Sequence, residues 1–236
     1  MSTHDAEPAS LPSPAPVASA MHISTQTAAT LLVFTLMFTA LMAGVYQVTK
    51  PVLDATALEA KRRLISEVLP ADTYDNDLLA DAIALPATPS LNLAEPTRLY
   101  RARRGGQPVA LVLEAAALDG YSGEIRLILA VQADGRLAAV RVTAHKETPG
   151  LGDYIDPKKD KNKAQPWITQ FNGHSFSDTP RTKWRVKKDG GVFDQHVGAT
   201  ISARAVTNAT GRALAWASER SSALYALPAN ARYEEK

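Results

Sequence analysis

The sequence predicts an α+β protein in which one N-terminal transmembrane helix precedes a domain built from an antiparallel sheet and packed helices. Three observations predict this class. Residues 24–49 are mostly apolar and contain no charged residue. Residues 108–144 contain three strand-like runs that are separated by turn signals. Residues 202–227 place Ala, Val and Leu at helical spacing. Strands followed by a helix, rather than alternating with helices, are typical of the α+β class.

The apolar run over residues 24–49 is long enough to cross a bilayer as a helix, which needs roughly 20 residues. Tyr46 and Lys50 stand at its far end, where an aromatic ring and an ammonium group reach the membrane interface. Residues 1–23 are rich in Ala, Ser and Pro, which predicts a disordered tail. A cleaved signal peptide is the alternative, but residues 1–23 contain no Lys or Arg to form its positive start.

The charges that flank the membrane segment do not fix its orientation. Lys50, Lys61, Arg62 and Arg63 all follow the segment. By the positive-inside rule they favour a cytoplasmic C-terminal domain, but that rule weakens when a long domain is translocated.

The remaining residues divide into a connector, a compact domain and a short tail. The connector is expected over residues 50–97, with a helix at Val52–Leu69 followed by a loop-rich stretch containing several Pro and Asp. The compact domain is expected over residues 98–228, and residues 229–236 form a C-terminal tail. The strands predicted for the compact domain are Pro108–Ala115, Ile125–Val131 and Leu137–Ala144. A further short strand is expected at Trp184–Lys188, and a closing helix from Ser202 to about Leu227.

Composition excludes several kinds of function. The chain has 26 basic and 24 acidic residues, whereas a nucleic-acid-binding protein normally has a concentrated basic surface, so we expect no nucleic-acid partner. It has no cysteine, which excludes disulfides, thiolate metal sites and cysteine nucleophiles. Nucleotide-binding glycine loops, the zinc-protease His motif and the serine nucleophile elbow are absent. The sequence therefore indicates neither a metal site nor a catalytic residue.

A glycine-rich segment, residues 189–200, leads directly into the predicted closing helix. Thr200 is expected at or just before the helix N-terminus, where free N–H groups and the helix dipole favour a phosphate. The small residues Gly198 and Ala199 would let a bulky group approach the backbone, and Ser202 offers a further hydroxyl. The alternative is that Thr200 is an ordinary N-cap.

A second segment, HKETPGLG at residues 145–152, follows the third predicted strand. Pro149 and Gly150 enforce a turn, and Gly152 is interpreted as a residue that permits unusual dihedral angles. Glu147 and the Thr148 hydroxyl could hold a polar ligand ring, although a plain loop is the alternative. The third segment, GYSG at residues 120–123, is by itself only a turn.

These three segments, taken in order with the intervening Trp167, Phe171 and Gly173, resemble the FMN-binding domain family. The resemblance covers residues 31–227, and the stretch from Trp184 to Ala209 looks closer to the Rnf branch of the family. It implies that Thr200 carries FMN through a phosphoester bond made by a flavin transferase. It further assigns Asp194 as the leading residue of the attachment motif, matches Gly198 and Ala199, and places Glu147, Thr148, Leu151 and Gly152 beside the flavin ring. Val197 departs from the family's Ser or Thr at its position.

The resemblance also implies a setting and a role. The chain would be an electron-transfer subunit of a membrane-bound Rnf-type complex that couples ferredoxin and NAD redox chemistry to ion translocation. Its partners would be the other integral and peripheral subunits, the flavin transferase and membrane lipid. It would lie in the bacterial inner membrane as a single-pass protein with a periplasmic C-terminal domain. The alternatives are a component like the C subunit of a sodium-translocating NADH:quinone reductase, a membrane-tethered FMN-domain regulator, and a non-redox binding module.

Overall fold

The structure, a computed structural model, describes residues 17–234, with side chains described from residue 21 onward. The chain divides into two units, residues 1–58 and residues 59–236. Its first helix, α1, covers Val17–Ser66 and therefore begins inside the segment expected to be a tail. Residues 1–16 of that expected tail lie outside the described residues. The limits 24–49 thus remain a prediction about which part of α1 lies in lipid.

The first unit consists of the apolar part of α1. Among the described residues, one helix is long and apolar enough to cross a bilayer, and it covers Met21–Ser66. Its large apolar side chains are exposed, as at Leu31, Phe34 and Leu41, and such a surface is stable when lipid covers it. The Thr35 hydroxyl donates to the Leu31 carbonyl at 2.8 Å, so this polar group is satisfied without water. The Lys50 ammonium lies 5.8 Å from the centre of the Tyr46 ring.

The second unit is built on a five-stranded antiparallel sheet whose strands are adjacent in chain order. The strands are β1 (Ala82–Leu85), β2 (Thr97–Arg104), β3 (Gln107–Gly120), β4 (Gly123–Gln132) and β5 (Leu137–Ala144). The predicted antiparallel architecture is confirmed, and β5 has the predicted bounds. The first strand lies in the stretch interpreted as loop-rich connector. Its four residues are too short for a visible alternation, and pairing with β2 from Ala82–Tyr100 to Leu85–Thr97 makes them a strand.

Both faces of the sheet are covered. The long helix α2 (Thr200–Ala226) packs mainly on β3 and β4. Leu111 and Leu113 belong to the core beneath α2, whereas Val112 belongs to a second core on the opposite face. That second core also holds Ile65 from the end of α1. Because both faces are buried, β3 is a continuous apolar run rather than an alternating one.

Residues 145–199 fold without long helices or strands. Single helical turns occur at Asp153–Ile155, Trp167–Phe171, Arg181–Lys183 and Lys187–Asp189, and two more precede β2 at Ala71–Thr73 and Pro89–Leu91. The expected strand at Trp184–Lys188 does not form. Only Val186 pairs, in a single parallel bridge with Phe193, because Gly190 has φ +81° and turns the chain back. Aromatic packing around Phe171, Trp184 and Phe193 holds this region instead.

Candidate cofactor-binding site

One buried carboxylate joins the three segments singled out in the sequence. Glu147 lies in the loop after β5 and is only 4% exposed. Its Oε1 accepts a hydrogen bond from the Ser122 backbone N–H at 3.0 Å. Its Oε2 accepts a hydrogen bond from the Ser202 hydroxyl in the first turn of α2. The β3–β4 turn, the loop after β5 and the start of α2 therefore meet at Glu147.

Two glycines make room for this carboxylate. A Cβ on Gly120 would lie 2.9 Å from Glu147 Oε1, and a Cβ on Gly152 would lie 2.9 Å from Glu147 Oε2 and 2.7 Å from Ser202 Oγ. The interpretation that Gly152 is needed for an unusual dihedral angle is wrong, since its φ is −93° and its ψ is −12°. Glycine fits at position 152 because a side chain there would occupy the space of the Glu147–Ser202 contact.

The turn that follows Glu147 presents an apolar side chain. The backbone N–H groups of Leu151 and Gly152 both donate to the Thr148 carbonyl at 3.1 Å. The Gly150 N–H donates to Asp153 Oδ1 at 2.9 Å. These hydrogen bonds close a tight turn, and the Leu151 side chain remains 47% exposed on it.

Thr200 is the first residue of α2 and is not its N-cap. The cap position belongs to Ala199, which has no side-chain group to cap the helix, and Gly198 before it has φ +86°. Among the described residues, the half-buried Thr200 hydroxyl has no hydrogen-bond partner. The N-cap alternative for Thr200 is therefore wrong. The first-turn N–H groups of a 27-residue helix and one unengaged hydroxyl lie together, which suits a phosphate.

A buried tyrosine that sequence reasoning missed fixes the segment before Thr200. The Tyr154 hydroxyl accepts a hydrogen bond from the His196 N–H and donates one to the Ala199 carbonyl, both at 3.2 Å. Its ring stacks on the His196 ring with centroids 3.7 Å apart. Burial raises the pKa of Tyr154, so its hydroxyl keeps its proton and remains a donor at neutral pH. No local pattern marks Tyr154, because its partners lie more than forty residues further along the chain.

Asp194 anchors the same segment from its other end. The Asp194 N–H donates to Gln170 Oε1 at 2.6 Å, and its carbonyl accepts from Trp167 Nε1 at 2.7 Å. Its carboxylate is exposed and pairs with Lys187 Nζ at 2.7 Å. We call residues 194–199 the arch, because both of its ends are fixed and its middle is exposed.

A small cleft of ≈110 Å³ lies between the arch and the loop after β5. Its lining residues are Tyr121, Glu147, Thr148, Leu151, Gly152, Gly198, Ala199, Ile201 and Ser202. The structure therefore brings together seven of the nine residues predicted for the site, and both chain neighbours of Thr200. Asp194 faces the other side of the arch, toward Lys187. Tyr121 and Ile201 are additional lining residues, and Tyr121 stood in a motif interpreted as a plain turn.

The cleft has the chemistry of a site for an aromatic ring joined to a phosphate. Tyr121, Leu151 and Ile201 supply exposed apolar surface, 64%, 47% and 43% exposed respectively, against which a flat ring can pack. Thr200 itself does not line the cleft, but its chain neighbours Ala199 and Ile201 do, so the start of α2 borders it. Within residues 21–234, no group of three His, Asp or Glu side chains is placed to hold a metal ion.

Comparison with known proteins places these features in a family. Residues 120–215 match the model of the FMN-binding domain, and residues 21–68 match that of the RnfG N-terminal region. Fold and site thus define a membrane-anchored protein with an FMN-binding domain. Similar proteins, each named as the G subunit of an ion-translocating oxidoreductase complex, occur in three bacteria, and the chain belongs to that family. In Pseudomonas aeruginosa the identity is 45% over 181 residues, covering 77% of this chain and 82% of the relative. In Pectobacterium atrosepticum it is 41% over 185 residues, covering 78% and 86%, and in Escherichia coli 43% over 200 residues, covering 85% and 94%.

The comparisons confirm the predicted resemblance and the predicted cofactor class. The FMN-binding match begins at Gly120, the first residue of the GYSG turn, and continues through Thr200 to Ala215. The match to the RnfG N-terminal region and the names of the relatives favour the Rnf branch over the quinone-reductase alternative.

Proposed function

We propose that this chain is the electron-carrying subunit of an Rnf-type ion-translocating complex and that its FMN is bound covalently through a phosphoester to Thr200. The observation that carries the proposal is the state of the two hydroxyl groups in the first turn of α2. Ser202 is 1% exposed and its hydroxyl donates to Glu147. The Thr200 hydroxyl is half-buried and has no partner within the described residues. Only Thr200 therefore offers a reachable, unengaged oxygen.

The residues around Thr200 suit the formation and the keeping of that bond. In our proposal the Thr200 oxygen attacks the flavin-side phosphorus of a flavin dinucleotide held by the transferase. The pyrophosphate bond breaks, a nucleoside monophosphate leaves, and the threonine proton is lost to solvent. Gly198 and Ala199 have little or no side chain to obstruct the phosphate. The uncapped N–H groups at the start of α2 then face its negative charge.

FMN, when bound, supplies reversible electron acceptance, and the protein supplies its position and surroundings. Tyr154 holds the arch by both His196 and Ala199, so the attachment point is ordered before the flavin arrives. Glu147 fixes the opposite wall through Ser122 and Ser202. Tyr121, Leu151 and Ile201 offer apolar surface for a ring in a cleft that is also lined by both chain neighbours of Thr200. Covalent attachment suits a cleft of ≈110 Å³, because a site too small to enclose the flavin leaves much of the ligand's surface in water and would otherwise release it readily.

The wider setting is also part of the proposal. The relatives are named as subunits of an ion-translocating oxidoreductase complex, which supports other subunits of such a complex as partners of this chain. We propose a periplasmic C-terminal domain in the bacterial inner membrane, maturation by a flavin transferase, and an FMN-binding domain that falls within residues 98–228. A single cysteine at the exposed Gln107, in a chain that has no other, would report sidedness to a membrane-impermeant maleimide.

The attachment is tested with the full chain co-expressed with a flavin transferase and run on a denaturing gel. We expect flavin fluorescence to migrate with the wild-type polypeptide and to be absent from Thr200→Ala. Thr200→Ser keeps the hydroxyl and should stay fluorescent. Ser202→Ala is the matched control: it removes the neighbouring hydroxyl and keeps that of Thr200, so it should stay fluorescent, at a yield lowered by the loss of the Glu147 contact. A dark wild-type band, or a fluorescent Thr200→Ala band, would contradict the proposal.

A further inference from the structure

Half of the exposed large apolar side chains of the second unit line the cleft, namely Tyr121, Leu151 and Ile201. Within residues 59–234, the large apolar side chains that are exposed are Leu118, Tyr121, Leu151, Val192, Val197 and Ile201. They belong to the end of β3, the turn after it, the loop after β5 and the segment that leads into α2. Exposed apolar groups that are collected in one region, rather than scattered singly, mark an interaction surface.

Val197 is the extreme case, because its side chain is 99% exposed. It stands in the middle of the arch, next to Gly198 and three residues before Thr200. At that exposure its side chain packs on nothing in the domain, so Val197 contributes little to folding. A hydrophobic side chain on a protruding, otherwise polar segment lowers the free energy only when another surface covers it.

The arch is also rigid on both sides of Val197. Trp167 and Gln170 hold the backbone of Asp194, and Tyr154 holds His196 and Ala199. Immobilising a loop is one of the main costs of association, and here the loop is ordered by the fold itself. Val197 is therefore presented as a preformed contact.

Several lysines lie in the segment around the arch. Lys187 pairs with the Asp194 carboxylate, and the Lys188 N–H donates to Gln195 Oε1 at 3.3 Å. Lys161 lines a cleft of ≈530 Å³ together with Asp160, Asp194 and His196. Residues 156–204 contain ten basic and five acidic residues, a net charge of +5, while the whole chain has a net charge of +2. The rest of the chain is therefore net acidic, and the positive charge is concentrated in the segment that contains the arch.

We infer that the arch and the apolar rim of the cleft form a docking surface for a protein that itself carries a redox cofactor and presents an apolar patch bordered by acidic side chains. The apolar patch would cover Val197, and the acidic border would face Lys161 and Lys188. Complementary charges would steer the encounter and fix the orientation of the two proteins. The choice of a redox protein rests on the proposed function, because a flavin attached at Thr200 must exchange electrons with a neighbour and a lipid surface cannot receive them.

The inference is tested by the protection of a single cysteine at Val197. Because the chain has no natural cysteine, a maleimide dye reports on Val197→Cys alone. We compare the complex purified in detergent with this chain purified alone in the same detergent. Val197→Cys should lose most of its labelling in the complex and react freely in the isolated chain. Gln107→Cys is the control, because Gln107 is exposed at the opposite end of β3 from the GYSG turn, and it should label equally in both samples.

Two further samples test whether Val197 is covered by lipid or by the flavin rather than by a protein partner. The isolated Val197→Cys chain, reconstituted in vesicles of phosphatidylglycerol and phosphatidylethanolamine, should still label freely, and protection there would overturn the inference in favour of a membrane contact. Val197→Cys combined with Thr200→Ala should remain protected in the complex, and loss of protection would mean that the flavin covers Val197. Gel fluorescence of each sample reports the proposed attachment separately, so its failure leaves the protection result readable.

Charge complementarity has its own test. Val197→Cys combined with Lys161→Glu and Lys188→Glu should recover much of its labelling in the complex, and the recovery should be smaller at higher salt, because salt screens the repulsion between the new glutamates and the acidic border. Val197→Cys combined with Arg98→Glu and Arg104→Glu is the matched control, because these exposed arginines of β2 lie outside residues 156–204, and it should stay protected. Full protection of Val197→Cys in the variant with both lysines replaced would overturn the inference. Equal labelling of Val197→Cys, without other substitutions, in the complex and in the isolated chain would overturn it as well.

Discussion

The Ser202 hydroxyl donates a hydrogen bond to the Glu147 carboxylate across 55 residues of sequence. This contact joins the loop after β5 to the first turn of α2 and leaves Thr200, two residues earlier, as the unengaged hydroxyl at the helix start. Both partners are buried, at 4% exposed for Glu147 and 1% for Ser202. A buried polar contact of this kind fixes geometry because each group is costly to leave unpaired.

Removing the Glu147 carboxylate should loosen the site. Glu147→Ala leaves the Ser202 hydroxyl without its acceptor in a buried position, and we expect a loss of about 1–3 kcal/mol in the free energy of unfolding. Glu147→Gln should cost less, because its amide oxygen can still accept from Ser122 while its N–H can donate to Ser202. Thermal unfolding of the full chain in detergent measures the stability, and gel fluorescence per polypeptide measures the flavin. Equal unfolding temperatures for wild type and Glu147→Ala would contradict this account.

Gly152→Ala tests whether the glycine is required by packing. The new Cβ would lie 2.7 Å from Ser202 Oγ, so we expect a loss of about 1–3 kcal/mol in stability. The cost should be smaller in a Ser202→Ala background, where that oxygen is absent, giving a coupling of roughly 0.5 kcal/mol or more in a double-mutant cycle. Gly150→Ala is the control, because position 150 has open space but φ +75°, and its cost should be independent of Ser202. Strictly additive effects of Gly152→Ala and Ser202→Ala would count against the packing explanation.

Tyr154→Phe should weaken the arch while keeping the aromatic packing. The ring contacts with His196 and Trp167 remain, but the hydroxyl that joins His196 and Ala199 is lost. We expect a loss of about 1–2 kcal/mol in the free energy of unfolding and a lower yield of flavin attachment. Tyr233→Phe, which removes a hydroxyl at the far end of the chain, is the comparison and should leave attachment unchanged. Wild-type attachment yield in Tyr154→Phe would argue that the arch is not held by this hydroxyl.

The same tyrosine predicts an alkaline limit to stability. Burial raises the pKa of Tyr154 above its ordinary value of about 10. The pKa of Tyr154 is higher in the folded state than in the unfolded state. Its stabilising contribution is therefore complete below about pH 10 and declines as the pH rises through the folded-state pKa. The tyrosinate absorbance of wild type minus that of Tyr154→Phe should therefore titrate above pH 10. A difference spectrum with a midpoint at or below pH 10 would contradict the burial argument.

At the other end of α2, Arg101 should matter for stability and not for flavin attachment. Arg101 is 2% exposed, donates to the Leu224 carbonyl at 2.9 Å and pairs with Asp81. Arg101→Met leaves these partners uncompensated, and we expect a loss of roughly 3–5 kcal/mol. Arg98→Met on the same strand is the control, because Arg98 is exposed, and its effect should be small. The attachment point lies about 40 Å away along a 27-residue helix, so folded Arg101→Met should keep its flavin fluorescence.

Local pattern was sufficient for the main elements and for the place of Thr200 at the start of α2. Alternating and continuous apolar runs between turn signals predicted β3, β4 and β5, and β5 has the predicted bounds Leu137–Ala144. Helical spacing predicted α2, whose first residue is Thr200 rather than Ser202. These predictions succeed because side-chain periodicity and turn chemistry act over a few neighbouring residues. Strands β1 and β2 were missed. The four residues of β1 carry no period and depend on pairing with β2, and β2 contains four arginines, of which Arg101 is buried by the fold.

The sequence by itself determined a membrane-spanning apolar helix, an antiparallel sheet and a small-residue approach to Thr200, since each of these is written in adjacent residues. Only the tertiary structure decided that Ser202 is occupied by Glu147 while Thr200 is unengaged, and that Gly152 is small because of that contact. It alone brought Tyr154 beneath the arch and turned Val197 outward. Such relationships join residues tens of positions apart, and whether a hydroxyl or a methyl group is paired, buried or free depends on what the fold places against it.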